Sequence, residues 1–262
     1  MPGKLHWVEG LLMRLAWTGA SRPTPPNGAA ATQHRTQARM LRIFVGHDPL
    51  QPASTTVLVH SIISRASKPV CVTPLSLKTL PIKRRGLTEF TYSRFLTPYL
   101  CDYQGWSLFL NAHMLVLEDI AKLFELADGK HTIQLVKNKL RLEWCSLILF
   151  NNAKCRELRP AVIDDMSRDP FGLWWASSVG ALPEEWNHCV GYDDPRSDAK
   201  LVHFTRGVPF FPETEDIEYV DEWRSELEGF GAPYACCRLG TNGGCRREFC
   251  PGSNMNTWRV AR

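Results

Sequence analysis

The chain has 262 residues, 44% of them hydrophobic and 22% charged, so it matches an average globular protein that can bury a sizeable core. Its net charge of +4 is small for this length, and no basic stretch is interleaved with aromatic residues, which excludes nucleic acid as the expected partner. Because no run of about 20 apolar residues occurs, the sequence also predicts no transmembrane segment.

The opening segment and the cysteines both indicate a cytoplasmic protein. Glu9 and Arg14 interrupt the apolar stretch near the start, which argues against a secretory signal peptide. The chain has nine cysteines, an odd number, and several are dispersed among apolar residues, as is typical of reduced core cysteines. These dispersed cysteines are Cys71, Cys101, Cys145, Cys155 and Cys189.

Composition divides the chain into three zones. Residues 1–40 predict a flexible leader, residues 41–228 a patterned body that forms one domain, and residues 229–262 an irregular tail rich in Cys, Gly and Arg. The tail cysteines lack the Cys-x-x-Cys spacing that usually chelates zinc, so an unstructured tail is favoured over a metal site there. These cysteines are Cys236, Cys237, Cys245 and Cys250.

Strand and helix signals alternate through the body. Short apolar runs predict the strands of one sheet, near residues 42–46, 70–74, 106–110, 132–136, 146–150 and 200–204. Helical spacing predicts helices over residues 57–65, 89–100 and 120–127, and Asn152 is expected to cap a further helix. The alternation predicts an α/β fold with a mostly parallel sheet, helices on both faces, and ligands at the carboxyl ends of the strands.

The first predicted strand ends at Gly46, and the next two residues are His47 and Asp48. A glycine lets the backbone approach a ligand closely, and Asp48 can accept hydrogen bonds from a base or a sugar. The same residues also suit a plain turn in which Asp48 caps the next segment of the chain. Neither a Gly-x-Gly-x-x-Gly motif nor a Walker-type loop occurs, which excludes the usual dinucleotide and P-loop sites.

Asn111 and His113 come directly after the buried strand predicted at 106–110. Because they are two residues apart, both side chains are expected on one face of an extended chain. On residue types alone, this pair is either a set of candidate ligands or a turn residue beside a hydrogen-bonded structural imidazole.

Beyond these patterns, a series of ordered segments resembles the glycosyltransferase family-eight-like proteins of bacteria and their phages. These proteins are relatives of the glycogenin and lipopolysaccharide galactosyltransferase group, and the likeness covers roughly residues 41–228. Agreement of several segments in the same order is far more specific than any one of them. The segments are residues 42–49, 89–96, 106–113, 144–151, 182–187 and 201–211.

The resemblance implies a single nucleotide-diphospho-sugar transferase domain that is Rossmann-like and of GT-A type. Such a domain transfers a hexose from a nucleotide-sugar donor, with retention of anomeric configuration, to a sugar, lipid or protein acceptor. The implied donor-binding residues are Gly46, Asp48, Tyr92, Arg94, Asn187 and Gly207. The implied ligands of a divalent metal, Mn²⁺ or Mg²⁺, are Asn111, His113 and His203.

The implied metal motif departs from the family pattern. A divalent cation normally stabilises the leaving diphosphate and is held by two aspartates, whereas Asn111 and His113 at these positions supply no carboxylate. Imidazole suits Mn²⁺ better than Mg²⁺. Other departures are Ser177 and Ser178, where relatives carry acidic residues, and the short connection 137–144. Two alternatives remain: a metal-assisted hexosyltransferase, and a catalytically silent relative that serves as a binding module.

Overall fold

The structure is a computed structural model that describes residues 40–139, 141–210, 214 and 216–230. The predicted leader, except Met40, and the predicted tail beyond Phe230 with its four cysteines lie outside the described residues. The strands are β1 (Leu41–Gly46), β2 (Val70–Leu75), β3 (Trp106–Leu110), β4 (Met114–Val116), β5 (Ile133–Val136), β6 (Leu147–Asn151), β7 (Val179–Leu182), β8 (His188–Cys189) and β9 (Leu201–His203). The α-helices are α1 (Pro52–Arg65), α2 (Thr97–Leu100), α3 (Ile120–Glu125), α4 (Pro160–Ile163) and α5 (Val220–Gly229).

Six of the described strands form the main sheet, in the order β2-β1-β3-β6-β5-β7. Strand β1 runs parallel to β2 and β3, and β7 runs parallel to β5. Strand β6 is antiparallel to both of its neighbours, β3 and β5. The central strands consist largely of buried apolar residues, as expected for strands covered on both faces. The predicted α/β fold with a mostly parallel mixed sheet is therefore confirmed.

Successive residues of the central strands pack on opposite faces of the main sheet, because side chains alternate along a strand. In β3, Leu108 packs in the cluster that contains Leu58 of α1 and Leu123 of α3. The next residue, Phe109, packs in a separate cluster that contains Trp175. Both faces of the sheet are therefore covered, which leaves its edges and strand ends as the places where a ligand can enter.

A second sheet of three strands has the order β4-β9-β8. Strand β9 pairs antiparallel with β4 and parallel with β8, and the buried side chains of Val57 on α1 and Trp223 on α5 pack in the cluster that covers it. The prediction that the strand near 200–204 belongs to the main sheet is wrong, because it pairs with β4 instead. Strands β4, β7 and β8, of two to four residues, were not predicted.

The predicted helix over 89–100 is wrong in most of its length. The chain forms a turn, then a 3₁₀ helix over Ser93–Leu96, and only then the short helix α2. Pro98 lies at the start of α2, where it is tolerated because the first helical residues need no amide donor. The other two predictions agree with α1 and α3, and Asp119 caps α3 by accepting from the amide of Ala121. In the described part of the chain, no helix has the length and apolar character needed to span a membrane.

Asn152 does not cap a following helix as predicted; it is the first residue of a 3₁₀ helix, Asn152–Lys154. Its buried amide instead accepts a hydrogen bond from Ser107 Oγ at 2.7 Å and donates one to the carbonyl of Gln104 at 2.9 Å. These bonds join the end of β6 to the start of β3, so the residue stabilises the sheet rather than a helix terminus.

The dispersed cysteines are all unpaired in the structure. Those at positions 101, 145, 155 and 189 are buried, as predicted for reduced core cysteines. The prediction is wrong for Cys71, which is exposed because β2 is an edge strand of the main sheet.

Candidate functional site

Asn111 and His203 meet at the carboxyl end of β3, as predicted. The chain bends at residues 111–113 instead of continuing as an extended strand, and the pairing of β9 with β4 then places His203 opposite Met114. The Asn111 Nδ2 atom lies 3.4 Å from His203 Nε2. The backbone amide of Asn111 donates to the carbonyl of Ser146 at 2.9 Å, which fixes this bend against the start of β6.

Both imidazoles of the site are held in the neutral form by their surroundings. Burial, followed by the charges of His113 and Arg94, lowers the pKa of His203 to about 3. Burial also lowers the pKa of His113, and the nearby carboxylate of Asp48 opposes that change. At neutral pH each ring therefore offers one N–H donor and one lone pair.

Each of the three predicted ligand side chains has one buried polar atom without a hydrogen-bond partner among the described residues. These atoms are Asn111 Oδ1, His113 Nε2 and His203 Nδ1. Leaving a buried polar atom unpaired costs about 1–3 kcal/mol, so such atoms are few in folded proteins. Unpaired polar atoms at the carboxyl end of a strand are typical of a ligand site.

Glu143 adds a carboxylate to the site that the sequence did not predict. Its Oε2 atom lies 3.6 Å from His203 Nδ1, and its side chain is only 18% exposed. Burial raises the pKa of Glu143, and the guanidinium of Arg94 opposes this change. The three predicted ligands contain no carboxylate, but the fold places this one beside His203. No motif marks Glu143, because only the fold brings it to β9.

The backbone of Glu143 is fixed by side chains from the same turn and from the residue before β8. Ser146 Oγ donates to the carbonyl of Glu143 at 2.5 Å. Asn187, which is fully buried, donates to Ser146 Oγ at 3.0 Å and faces the Glu143 carbonyl at 3.5 Å. The 3₁₀ helix Arg141–Ser146, which begins within the short connection noted in the sequence, carries Glu143 beside His203.

Arg94 lies inside the domain beside the site. Its Nε atom donates to the carbonyl of Thr91 at 2.9 Å, and one terminal nitrogen donates to the carbonyl of Cys145 at 2.6 Å. The guanidinium carbon lies 5.1 Å from the ring centre of Phe109 and 5.3 Å from that of Phe171. Burial lowers the pKa of Arg94 to about 10, so the group remains a cation at neutral pH. Its charge acts on the site mainly through space.

Asp48 and Gly46 line the site in ways that differ from the expected nucleotide contacts. Asp48 is buried and its Oδ1 atom accepts from the amide of Leu50 at 2.9 Å, which is the turn alternative left open by the sequence. A Cβ atom on Gly46 would lie 2.5 Å from the ring of Phe90. The glycine therefore makes room for Phe90, whose ring packs edge-on against His113.

The remaining predicted donor-binding residues contact residues other than Asn111, His113 and His203. Tyr92 contacts Arg84 through its hydroxyl at 3.3 Å and through its ring face. Asn187 is fully buried beneath the site and contacts the turn that holds Glu143. Gly207 lies after β9 with a φ of +117°, a backbone conformation that favours glycine. None of the three reaches Asn111 directly in the described structure.

Ser177 and Ser178 lie at the opposite end of the main sheet's strands from Asn111. Ser177 Oγ is 2.8 Å from Thr132 Oγ1, and Ser178 accepts from the Thr132 amide at 3.1 Å. Thr132 precedes β5, whose first residue pairs with the carboxyl end of β6, and that end also pairs with the start of β3. These two departures from the family pattern therefore lie at the amino end of β7, away from the carboxyl end of β3, where Asn111 lies.

The donor set of the site is a poor match for Mg²⁺ or Mn²⁺. In the residues that the structure describes, no three His, Cys, Asp or Glu side chains are close enough together to hold a metal ion. Hard cations prefer several oxygen ligands, whereas Asn111 offers one neutral oxygen and the imidazoles offer nitrogen. The described residues do not fit a site in which protein ligands alone hold either ion.

Comparison with solved structures identifies the fold. The chain is similar to the glycosyltransferase GlyE of Streptococcus pneumoniae, with a TM-score of 0.58, 13% identity, and coverage of 72% of this chain and 60% of that chain. It is also similar to the bifunctional glycosyltransferase WbbM, with a TM-score of 0.54, 16% identity, and coverage of 72% and 50%. The chain thus spans only 50–60% of these two structures. These likenesses show a GT-A type glycosyltransferase fold.

Comparison at the sequence level identifies the family. No family model matches the chain. Protein CDI of Arabidopsis thaliana is 34% identical over 230 residues, an alignment that covers 74% of this chain and 89% of that protein. The resemblance to family-eight-like proteins of bacteria and phages stays a prediction. The chain carries a GT-A type fold and belongs to the family of Protein CDI.

Proposed function

We propose that this chain is a glycosyltransferase that binds a nucleotide-diphospho-sugar at the carboxyl end of β3 and transfers the hexose to an acceptor with retention. The observation that supports the proposal is the group of unpaired buried atoms on Asn111, His113 and His203 in a GT-A type fold. In α/β sheets such strand ends are the usual place for ligands.

In the proposed reaction the bond between the anomeric carbon and the diphosphate oxygen breaks, and its electron pair stays on the diphosphate. The acceptor hydroxyl oxygen bonds to the anomeric carbon, and its proton passes to the diphosphate that leaves. The buried charge of Arg94 favours the negative charge that develops, because a fixed cation acts strongly in a site shielded from water. Asn111 and His113 provide polar contacts that orient the donor.

The second candidate is a catalytically silent relative that binds a nucleotide-sugar without turning it over. The specific observation in its favour is the neutral donor set at positions 111 and 113, which does not replace the two aspartates of the family motif. In the silent relative the same atoms hold the ligand, but no group offsets the charge of the leaving diphosphate strongly enough for transfer.

A panel of nucleotide-sugars tested by thermal unfolding checks the proposal and separates the two candidates. A ligand at 100 times its Kd stabilises the native state by about 2.7 kcal/mol, so the matching donor should raise Tm by roughly 5–10 °C. Nucleoside monophosphates serve as controls, and Asn111→Ala should reduce the shift. Release of nucleoside diphosphate, measured with and without Mn²⁺, then reports turnover. Binding without turnover supports the silent relative, and no shift with any donor contradicts both candidates.

Restoring carboxylates tests the role of a divalent metal. The double variant Asn111→Asp with His113→Asp supplies two charged oxygen ligands, so its affinity for Mn²⁺ without donor should exceed that of the native chain by about tenfold or more. Calorimetric titration with Mn²⁺ measures the effect, and the Asn111→Ala/His113→Ala variant is the control. Equal Mn²⁺ affinity in the native chain and the aspartate variant would show that these positions do not bind metal.

A further inference from the structure

We propose that Glu143 is a positioning residue that acts through His203. It determines whether Asn111 presents its side-chain oxygen or its NH₂ group to a ligand. The three side chains form a line at the end of β3, from the Glu143 carboxylate to the His203 ring and on to the Asn111 amide. Whether each side chain in this line donates or accepts a hydrogen bond determines whether the next one accepts or donates.

Glu143 determines which ring nitrogen of His203 carries the proton. The Glu143 Oε2 atom is 3.6 Å from His203 Nδ1, slightly beyond hydrogen-bond distance. Contacts of this kind are often long in a free site and shorten when a ligand binds. Among the described residues Nδ1 has no hydrogen-bond partner, so the carboxylate is the acceptor available to it. A carboxylate can only accept, which favours the ring form with its proton on Nδ1.

His203 in turn determines the orientation of Asn111. A neutral imidazole protonated at Nδ1 carries a lone pair at Nε2, and this lone pair needs a donor. The Asn111 Nδ2 atom lies 3.4 Å away and supplies that donor. The other end of the amide, Oδ1, then points elsewhere and is one of the buried atoms without a partner in the described residues.

The orientation of the Asn111 amide determines which chemical group of a ligand it can bind. With Oδ1 left without a partner among the described residues, Asn111 has an acceptor to offer a ligand, which suits a hydroxyl group and disfavours a bare phosphate oxygen. If His203 carried its proton on Nε2, Asn111 would turn over, and its NH₂ group would face the ligand instead. Resting on the proposed function, this inference assigns Asn111 to a sugar hydroxyl of the donor rather than to its diphosphate.

The surroundings of Glu143 are built to hold the carboxylate in this position. Its backbone is fixed by Ser146 and Asn187, and the cation of Arg94 attracts the carboxylate without an ion pair among the described residues. A carboxylate that served only solubility would be exposed, whereas this one is largely buried beside a fully buried ring.

The experiment reads the proton position of His203 directly in the full chain without ligand. Long-range ¹H–¹⁵N correlation spectra distinguish a protonated from an unprotonated ring nitrogen, and the His203→Gln variant assigns the signals. We expect protonated Nδ1 in the native chain. In Glu143→Gln, whose amide can donate as well as accept, the share of the form protonated at Nε2 should rise. Glu143→Asp should keep the native form, and exposed Glu184→Gln is the matched control.

Two results of these spectra would overturn the proposal. One is a native ring protonated at Nε2, and the other is an unchanged proton position in Glu143→Gln. A Glu143→Leu variant, checked for folding by thermal unfolding, gives a second reading because it removes the acceptor completely.

A binding arm tests the ligand assignment separately. Uridine and guanosine diphosphate and their hexose derivatives are titrated in the presence of a chelator. The affinity for the free diphosphate, divided by the affinity for the nucleotide-sugar, should be roughly two- to tenfold higher in Glu143→Gln than in the native chain. A change of this size is the effect of one hydrogen bond. An unchanged ratio overturns the assignment of Asn111 to a hydroxyl. If no probe binds the native chain, the proposed function fails, while the spectra still decide the role of Glu143.

Discussion

Replacing Arg94 with alanine is expected to lower the free energy of unfolding by about 3 kcal/mol or more. The change leaves the buried carbonyls of Thr91 and Cys145 without their donor and removes a side chain packed against Phe109 and Phe171. Unpaired buried polar groups and core cavities are the mechanisms that give losses of this size. Urea unfolding measured at pH 7 gives the difference directly.

Two variants control the Arg94 experiment. Arg94→Lys keeps the charge but lacks the planar fork that reaches two carbonyls, so an intermediate loss is expected. Arg159→Ala removes an exposed arginine and should change stability by less than about 0.5 kcal/mol. A loss below about 1 kcal/mol for Arg94→Ala would show that its contacts are not structural. The loss of nucleotide affinity expected from the family resemblance is best measured in Arg94→Lys, which keeps more of the fold.

The native chain is expected to lose stability steadily as the pH falls from about 6.5 towards 3, because His203 is buried in its neutral form. Its pKa is about 3 in the folded state and near 6.5 when unfolded, so the unfolded state binds the extra proton throughout this window. Stability supplied by the neutral ring is fully present above pH 6.5 and falls by at most about 1.4 kcal/mol per pH unit below it. Urea unfolding at pH 7, 6, 5 and 4 measures the slope.

The His203→Gln variant isolates this contribution from other titrating groups. Its amide has no proton to gain in this window, so its stability should fall less steeply with decreasing pH than that of the native chain. Burial lowers the pKa of His113 in both proteins, so the effect of His113 on stability cancels when their pH dependences are compared. Parallel pH dependences for the two proteins would show that His203 does not carry the effect.

The parts of the fold that were predictable from the sequence are those with strong local patterns. The buried runs of β1 and β3 predict these strands almost at their observed bounds, and the spacing of α1 predicts its end but not its start at Pro52. Strand β9 has an apolar pattern too, but which sheet it joins depends on a partner, β4, that is too short to predict. Sheet membership is a tertiary property, which a local pattern does not contain.

The site was predictable where a motif marks a strand end and not where the fold alone brings residues together. The resemblance gave Asn111, His113 and His203, and the structure brings Asn111 and His203 within 3.4 Å. It gave Asn187 as a sugar contact, yet this residue is fully buried under the turn of Glu143. Glu143 itself has no signal in the sequence, because its proximity to His203 arises from the turn before β6.

The reversed direction of β6 gives this domain a way to remodel its site that a fully parallel sheet lacks. In a parallel sheet every strand ends at the side where ligands bind, so only the segments that follow the strands can contact a ligand. Because β6 is antiparallel, it begins at the ligand side, and the turn that leads into it, Arg141–Ser146, also faces the ligand. Insertions or deletions in that turn can therefore change the side chains at this end of the sheet while the strand pairing of β5, β6 and β3 stays intact.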